Sequence, residues 1–192
     1  MEVRTHPEAA TPPALRVQVL ALQDAAWPPE PGAPASSGPT HDPALDPLSV
    51  LLVDHGRVLA ALDVLGRDLD HAGRTWAVRG LSTVVVDPAA RGRGLGARLV
   101  RAAAALVAAS GADLTLFTCD RPLGPFYEAA GYAVLPGTVL LGGTPAAPLR
   151  SDDPAFDKVT LGAFHTAAAV AAREAFVGVE VALYPGGVDR LW

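Results

Sequence analysis

The chain has 192 residues, of which 50% are hydrophobic, 15 are Lys or Arg and 20 are Asp or Glu, for a formal net charge of −5. That length fits one domain over residues 1–192, and the negative charge argues against a nucleic-acid partner, because phosphate backbones require basic patches. The single cysteine, Cys119, excludes an internal disulfide framework, and the scattered histidines lack the spacing of a metal site.

The N-terminal segment predicts a strand followed by a helix. Glu2 to His6 can form a short strand. Thr11-Pro12 is a helix start signal, a capping hydroxyl followed by proline in the first turn. One helical face follows at Leu15, Val19, Leu22 and Ala26, although Val17 and Val19 also alternate and leave a strand as the competing interpretation.

A proline-rich loop at 28–47 follows this helix. It holds seven prolines, with glycine and serine between them. Repeated proline is incompatible with regular helices and sheet ladders, and loops of this length are often functional or disordered. The piece before the loop is too small to fold alone, so 28–47 is interpreted as a loop within the domain.

Three consecutive strands are predicted to pair as antiparallel neighbours. They are Ser49 to Val53, Arg57 to Leu65 and Thr75 to Val86, joined by turns at Asp54-His55-Gly56 and Ala72-Gly73-Arg74. Apolar, β-branched runs bounded by glycine and aspartate are typical of such hairpins.

A glycine- and arginine-rich loop connects the third strand to a helix. The loop is Arg91-Gly92-Arg93-Gly94-Leu95-Gly96, and the helix has apolar residues at helical spacing as far as Ser110-Gly111. A glycine loop that enters a helix aims several backbone N–H groups at one point, in front of the positive end of the helix dipole. Arg91 and Arg93 add charge-assisted donors, so the loop predicts a phosphate or pyrophosphate site.

Two nucleotide-type interpretations of this loop compete with a purely structural one. Gly92 to Ala97 satisfies the dinucleotide pattern G-x-G-x-x-A, with Asp120 near the place of a ribose-binding acid. However, residues 87–91 separate the strand from the first glycine, and the further strand–helix repeats do not follow. The other pattern is R-x-x-G-x-G, met by Arg91, Gly94 and Gly96. The structural alternative is a helix start whose glycines serve close packing.

The second half of the chain predicts one more strand in the sheet and a short helix. Leu114 to Thr118 is a strand that lies beyond a helix and is therefore parallel to its predecessor. Pro125 to Ala130 predicts a short helix that ends at Gly131. The remaining predictions are a strand from Ala133 to Leu141, a helix over Thr166 to Phe176 and a half-buried strand over Val177 to Leu183.

The loop and the short helix together resemble two motifs of the GNAT superfamily of acyl-CoA-dependent N-acetyltransferases. R-x-x-G-x-G matches that family's pyrophosphate loop, and F-Y-x-x-x-G-[FY], at Phe126 to Tyr132, follows at the expected distance. The resemblance implies an α+β fold, with a GNAT-like mixed, mostly antiparallel central sheet that is splayed between its middle strands and flanked by helices.

Within the superfamily, the chain is most similar to the aminoglycoside 2′-N-acetyltransferases. The correspondence runs from Leu51 to Tyr132, whereas the region up to Pro47 matches poorly and the part from 142 onward is divergent. Thr166 to Phe176 resembles an insertion. The family's carboxylate near the start of the central strand falls on Ser82 here, which leaves both the base and the acceptor open.

The resemblance implies acetyl-CoA as the cofactor and no metal. The pantetheine arm is expected to pair with the backbone of the central strand, a backbone N–H near Val84 to hold the developing oxyanion, and the loop amides to hold the pyrophosphate. The expected cofactor-binding residues are Val84, Val85, Val86, Arg91, Gly92, Arg93, Gly94, Leu95 and Gly96.

Two residues are candidates for proton transfer. Tyr127 is expected to be the general acid, because a phenol with a pKa near 10 is protonated at pH 7 and can protonate a thiolate; packing for area alone is its alternative role. Ser82 cannot act as a base unaided, but its hydroxyl can position a water that relays the proton to Asp70, His71 or the acidic loop at Asp152-Asp153. An acceptor amine with a depressed pKa is the other alternative.

The expected acceptor is the primary amine of a small cationic molecule, with an aminoglycoside as one candidate. An acidic rim would bind a polycationic sugar through charge-assisted hydrogen bonds, and solvated loop carboxylates are the alternative. The predicted substrate-binding residues are Asp42, Asp46, Asp152, Asp153, Asp189 and Trp192.

Two other functions stay open at the level of sequence. An acyl-CoA-binding module without turnover would fit the missing carboxylate at Ser82, and an NAD(P)-binding protein would fit the dinucleotide pattern. No continuous run of apolar residues approaches the roughly 18 residues of a membrane span, and Glu2 after Met1 does not fit a secretory leader. We therefore expect a cytoplasmic protein without a membrane partner, and a homodimer through edge strands is one expectation for its assembly.

Overall fold

A computed structural model describes residues 1–29, 32 and 36–192. The predicted loop at 28–47 therefore lies partly outside the described residues, at positions 30, 31 and 33–35. Within the described part of the loop, Pro43–Leu45 forms a short 3₁₀ helix that Asp42 caps through the N–H of Ala44. Across the described residues, no helix is long and apolar enough to cross a membrane.

The described residues form ten strands and four α-helices. The strands are β1 (Glu2–Pro7), β2 (Leu48–Asp54), β3 (Arg57–His71), β4 (Arg74–Val86), β5 (Leu114–Asp120), β6 (Ala133–Val134), β7 (Val139–Thr144), β8 (Ala147–Arg150), β9 (Lys158–Phe164) and β10 (Glu180–Ala182). The helices are α1 (Pro13–Ala26), α2 (Leu95–Ala109), α3 (Gly124–Glu128) and α4 (Ala167–Ala171).

Seven of these strands form one sheet in the order β1-β2-β3-β4-β5-β9-β6. Its pairings are antiparallel except for β4 with β5, which are parallel. The expected mixed, mostly antiparallel α+β sheet is therefore confirmed. The helix prediction for α1 is also confirmed, and the competing strand interpretation of that segment is wrong.

Two tight turns hold β2, β3 and β4 in register. His55 and Gly56 both have positive φ, of 48° and 80°, and so do Ala72 and Gly73, of 50° and 76°. Positive φ at both central residues defines the type I′ turn, whose twist matches that of the flanking strands. The two predicted hairpins are confirmed at these turns.

The sheet is covered by helices on both faces. Along β2, Val50 and Leu52 pack in the cluster that contains Leu99 of α2, whereas Leu51 and Val53 pack in the cluster that contains Val19 of α1. Successive residues of a strand point to opposite faces, so a strand buried on both sides must be apolar throughout. This burial explains the uninterrupted apolar run of the sequence there.

The predicted strand from Ala133 to Leu141 is wrong as a single element. The chain forms β6 and β7, which belong to different sheets, with a turn between them. Pro136 has no N–H to donate to a ladder, and Gly137 adopts a left-handed φ of 70°. These two residues break the strand and direct β7 into a second sheet of order β10-β7-β8.

Other elements of the C-terminal part are shorter than predicted or were not predicted. The helix over Thr166 to Phe176 is divided into α4 and a 3₁₀ helix at Arg173–Phe176, and the strand over Val177 to Leu183 is reduced to β10. Sequence analysis missed β8 and β9. Of these, β9 matters more, because it pairs with β5 along seven residues and completes the sheet beside the functional site.

Candidate active site

The central sheet opens between β4 and β5. These strands pair only at Val78 with Leu114 and at Arg79 with Thr115, and within the described residues their ladder goes no further. We call the gap beyond these pairs, between β4 and β5, the fork. On its other side β4 stays paired with β3 as far as Val86. The edge of β4 that faces the fork therefore presents backbone groups to which an extended ligand can bind.

A β-bulge distorts β4 where it borders the fork. Ala61 of β3 pairs with Val85 but Asp63 pairs with Ser82, so two residues of β4, Thr83 and Val84, oppose one residue of β3. Thr83 has a φ of +49°, which a β-branched residue adopts only under strain. Its hydroxyl donates to Asp63 Oδ2 at 2.7 Å. Bulges re-aim backbone groups, and this one does so beside the fork.

Trp192 lies at the base of the fork. Its indole Nε1–H donates to the carbonyl of Leu116 at 3.0 Å, and its own carbonyl accepts from the N–H of Thr118 at 2.9 Å. The ring fits because Gly80 has no side chain: a Cβ there would come within 2.5 Å of Trp192 Nε1. Trp192 therefore occupies the place where a continued ladder would bring β4 and β5 together.

The glycine- and arginine-rich loop leads from β4 into the N-terminus of α2. Gly92 and Gly94 have φ values of 74° and 71°, and a Cβ on either would meet no atom within 4 Å. A Cβ on Gly96 would lie only 3.1 Å from a methyl group of Val86, so the absence of a side chain at Gly96 allows close packing. Arg91 and Arg93 are exposed. The open space, the helix N-terminus and the two arginines fit a pyrophosphate group.

Tyr127 of α3 borders the space beyond the fork. Its side chain is 6% exposed and packs edge-on against Phe117 at a ring distance of 5.1 Å. Burial, with smaller contributions from Cys119, Tyr132 and Asp120, raises the pKa of Tyr127 well above its usual value. The phenol therefore stays protonated around neutral pH and carries a proton that it can donate.

A cavity of about 570 Å³ joins the fork to Tyr127. Its wall consists of Leu81 to Val84 of β4, Thr118 to Asp120 of β5, residues 40–41 of the loop after α1, and Val188 to Trp192 of the C-terminal tail. Cys119 also faces it, but burial and the nearby Asp120 raise the pKa of this thiol to about 11, so it is not a nucleophile at neutral pH. The predicted catalytic residues Ser82 and Tyr127 thus share one cavity.

A buried ionic cluster underlies one wall of this cavity. His41 lies between two carboxylates, with Nδ1 2.5 Å from Asp189 Oδ1 and Nε2 3.2 Å from Asp63 Oδ2. Asp63 also accepts hydrogen bonds from the hydroxyls of Ser49 and Thr83. The cluster, consisting of His41, Asp63 and Asp189, ties the loop after α1 and the C-terminal tail to the central sheet.

The charges of this cluster stabilise one another. Burial alone would lower the pKa of His41, but the hydrogen bonds to Asp189 and Asp63 and the charges of both carboxylates raise it to about 9. Burial alone would raise the pKa of Asp63, but the hydrogen bond and charge of His41 lower it. His41 is therefore an imidazolium between two carboxylates at neutral pH.

The predicted substrate-binding residues are divided between the cavity and the surface. Asp189 and Trp192 line the cavity, whereas the other four do not. Asp42 caps a 3₁₀ helix, Asp46 lies 3.8 Å from Arg79, Asp152 pairs with Arg150 at 2.9 Å, and Asp153 accepts from the N–H of Ala155. The structure therefore does not bring the six residues together into one rim.

Two of the candidate proton receivers lie far from Ser82. Asp70 accepts a hydrogen bond from Thr75, and His71 contacts the carbonyl of Ala175 at 2.8 Å. Ser82 is seven residues along β4 from Thr75, which is roughly 23 Å in an extended strand. The expectation that Asp70 or His71 receives the proton is therefore wrong, because both lie at the opposite end of the hairpin.

Sequence analysis missed His41 and Asp63 as members of the site. Asp63 had a signal, since it stands between Leu62 and Val64 within a strand that is otherwise apolar, and such a carboxylate must be paired when buried. His41 had none. It lies in the proline-rich loop, and only the fold brings it to Asp63 and to Asp189, 148 residues away in the chain.

The fork, the bulged central strand and the glycine turn that begins α2 lie within the part of the chain that is similar to a known family. The acetyltransferase (GNAT) domain family matches residues 48–134, which run from β2 through β6 and contain the loop and Tyr127. The chain as a whole has a GNAT-like fold, a mixed α+β fold with a mostly antiparallel sheet and a parallel β4–β5 pair. A search of curated proteins gave no match.

Solved structures share this fold at low sequence identity. An acyl-CoA N-acyltransferase from Pseudomonas aeruginosa is 19% identical with a TM-score of 0.57, over 84% of this chain and 97% of that one. An aminoglycoside 6′-N-acetyltransferase complexed with coenzyme A is 16% identical with a TM-score of 0.57, over 86% and 98%. A GNAT family acetyltransferase from Brucella melitensis in complex with acetyl-CoA is 23% identical with a TM-score of 0.50, over 68% and 82%.

Proposed function

We propose that the protein transfers an acetyl group from acetyl-CoA to the primary amine of a small acceptor that is cationic at neutral pH. One observation carries this proposal: the fork opens onto a cavity that holds Ser82 and Tyr127, while the glycine loop at the end of β4 offers an anion-binding helix N-terminus. The two solved neighbours described as complexes with coenzyme A or acetyl-CoA support the choice of cofactor.

The cofactor would be held along one continuous path. The backbone of Val84, Val85 and Val86 would pair with the pantetheine arm across the fork, as another strand would. The amides of residues 92–96 would hold the pyrophosphate, and the guanidinium groups of Arg91 and Arg93 would add charge-assisted hydrogen bonds. When bound, acetyl-CoA supplies a thioester whose carbonyl carbon accepts the amine nitrogen.

Three groups around the fork would then act in the acetyl transfer, each in a different role. A backbone N–H near Val84, aimed by the bulge at Thr83, would stabilise negative charge on the carbonyl oxygen, an effect of about 2.7–4 kcal/mol for one donor. Tyr127 would give its proton to the departing sulfur. Ser82 is half-buried and lines the cavity, so its hydroxyl would orient a water that takes the proton from the amine.

The identity of the acceptor stays a prediction. The resemblance to the aminoglycoside 2′-N-acetyltransferases makes an aminoglycoside one candidate, and the solved neighbours include aminoglycoside 6′-N-acetyltransferases. Their low identity supports a common fold and not a common acceptor. We therefore expect aminoglycoside resistance in a host that expresses the chain only if an aminoglycoside is the acceptor.

A melting experiment followed by a thiol-release assay tests the proposal. Acetyl-CoA at one hundred times its Kd should stabilise the protein by about 2.7 kcal/mol, which corresponds to roughly 5–10 °C in Tm for a chain of this size. NAD(P) should cause no shift, and thiol should be released from acetyl-CoA only when an acceptor amine is present. Stabilisation without release across an amine panel would indicate an acyl-CoA-binding module, and stabilisation by NAD(P) alone would indicate a dinucleotide-binding protein.

A further inference from the structure

Four exposed apolar side chains surround the mouth of the cavity. Among the described residues, eight large hydrophobic side chains are exposed, and four of them line this one cavity: Trp27, Leu123, Phe156 and Val188, at 54, 45, 39 and 63% exposure. Trp27 follows α1, Leu123 precedes α3, Phe156 precedes β9 and Val188 belongs to the C-terminal tail. These residues are far apart in the sequence and are brought together by the fold. Exposed apolar side chains that gather around one cavity, and are not scattered singly, are typical of a binding site.

The inner part of the cavity has a different chemistry. Ser82, Thr83 and Thr118 carry hydroxyl groups in the part of the lining beside the fork, and Tyr127, which is 6% exposed, adds its phenol to the same lining. These groups are neutral and polar, and they suit an amine together with the water that takes its proton. The cavity is thus polar at its inner end and apolar at its mouth.

The charged groups that line the cavity are already paired or basic. Asp120 is 2.5 Å from the ammonium of Lys158, and Asp189 is 2.5 Å from His41. The one further charged residue of the lining is Arg190. Every side-chain carboxylate in the lining therefore has a cationic partner. A molecule with several ammonium groups would compete with the basic partners for these carboxylates and would approach three basic side chains, which is unfavourable.

We propose that the acceptor is a primary amine with an aromatic or alkyl body, and not a polycationic sugar. This inference rests on the proposed acetyl transfer and narrows its acceptor. The amine lies at Ser82 and Tyr127, and the body covers the ring of Trp27 and the side chain of Phe156. Burial of apolar surface and edge or offset contacts between aromatic rings stabilise this orientation. A cavity of about 570 Å³ holds a molecule of that kind.

An acceptor comparison tests the class of substrate. Acetyl transfer by the full chain is measured with 2-phenylethylamine, with ethanolamine, which has the amine but no apolar body, and with kanamycin, which carries several ammonium groups. We expect kcat/KM for 2-phenylethylamine to exceed both others at least tenfold. A higher kcat/KM for kanamycin or for ethanolamine would overturn the inference.

Variants at the mouth of the cavity test the position of the body. Trp27→Ser and Phe156→Ser should each raise KM for 2-phenylethylamine about tenfold with nearly unchanged kcat, and should leave ethanolamine kinetics unaltered. Val17→Ser is the matched control, because Val17 is 68% exposed on α1 but does not line the cavity. If Trp27→Ser behaves like Val17→Ser, the assignment of the apolar mouth is wrong.

A binding measurement separates this inference from the proposed reaction. Calorimetric titration of 2-phenylethylamine into the protein saturated with coenzyme A needs no turnover. Binding that Trp27→Ser weakens, without acetyl transfer, would support the acceptor class and contradict the enzyme. Acetyl transfer to kanamycin without binding of 2-phenylethylamine would support the enzyme and contradict the acceptor class. If 2-phenylethylamine neither binds nor accepts an acetyl group, the proposed acceptor class is also contradicted.

Discussion

At the scale of single residues, two buried tyrosines in the same aromatic cluster have different surroundings. Tyr127 lines the cavity, whereas the hydroxyl of Tyr132 is buried and has no hydrogen-bond partner among the described residues. Both rings pack edge-on against Phe117, at 5.1 and 5.0 Å. Burial raises the pKa of each. Of the two hydroxyls, only that of Tyr127 is therefore in position to contact a molecule bound in the cavity.

Tyr127→Phe should lower kcat by roughly 10²–10⁴-fold and leave the affinity for acetyl-CoA nearly unchanged, because it removes a proton donor but keeps the ring. Steady-state kinetics and calorimetric titration of the cofactor measure the two effects. Tyr132→Phe is the control and should leave kcat unaltered, since it deletes a hydroxyl that faces no cavity. An unchanged kcat in Tyr127→Phe would show that Tyr127 only packs.

Residue roles could be predicted where the chemistry is local to a motif. Gly94 and Gly96 stand in a pattern whose purpose follows from backbone geometry, and the structure gives them a left-handed conformation and a close packing contact, respectively. His41 could not be predicted, because its role depends on contacts with two residues that are distant in the chain. Long-range polar pairing leaves no periodic signal in a sequence.

At the scale of elements, the cluster of His41, Asp63 and Asp189 makes the attachment of the loop and the tail dependent on pH. The pKa of His41 is about 9 in the folded protein and 6.5 is its usual value. The folded state therefore binds the proton more tightly than the unfolded state. The resulting stabilisation is fully present below about pH 6.5 and is lost as the pH rises towards 9.

The free energy of unfolding should fall by on the order of 3 kcal/mol between pH 6 and pH 9.5 through this one group. Denaturant titrations of the wild-type protein at both pH values measure the loss. His41→Ala should be less stable at pH 6, because it leaves two buried carboxylates without a cation, and its stability should change less between the two pH values.

A direct titration keeps this prediction testable if His41→Ala does not fold. The imidazole of His41 should titrate by NMR with a midpoint near 9 in the wild-type protein. His55→Ala is the matched control, because His55 is 94% exposed at a hairpin turn and lies outside the cluster of His41, Asp63 and Asp189. A midpoint near 6.5 for His41 would exclude the ionic cluster as described.

The predictions of secondary structure are accurate where the apolar periodicity of the sequence is continuous. They fail where a strand forms because of its packing against distant residues. The order and pairing of β2 to β5 were predicted, because each strand is buried and bounded by turn residues, but β3 continues to His71, six residues beyond its predicted end at Leu65. In contrast, β9 contains Gly162, where a Cβ would lie only 3.0 Å from the side chain of Leu135. A glycine weakens the strand signal of a sequence, and the reason for it becomes visible only when Leu135 is in place.

At the scale of the whole molecule, cofactor binding should leave a localised footprint on the backbone. Amide hydrogen exchange with and without acetyl-CoA should slow at residues 82–86 of β4 and at residues 91–96 of the loop, since those amides would be covered. The turn at residues 71–74, at the far end of the same hairpin, should exchange at an unchanged rate and serves as the internal control. Protection elsewhere, with none at these two segments, would contradict the cofactor path.

The cavity draws its two sides from different parts of the chain. One side comes from β4 and β5, whereas the mouth comes from Trp27, from the loop before β9 and from the C-terminal tail. Surface segments accept sequence change more readily than buried strands do. The selectivity of this protein for its acceptor should therefore be open to redesign. The peripheral segments at the mouth would be exchanged, and the strands of the central sheet that would bind the acetyl donor would be kept unchanged.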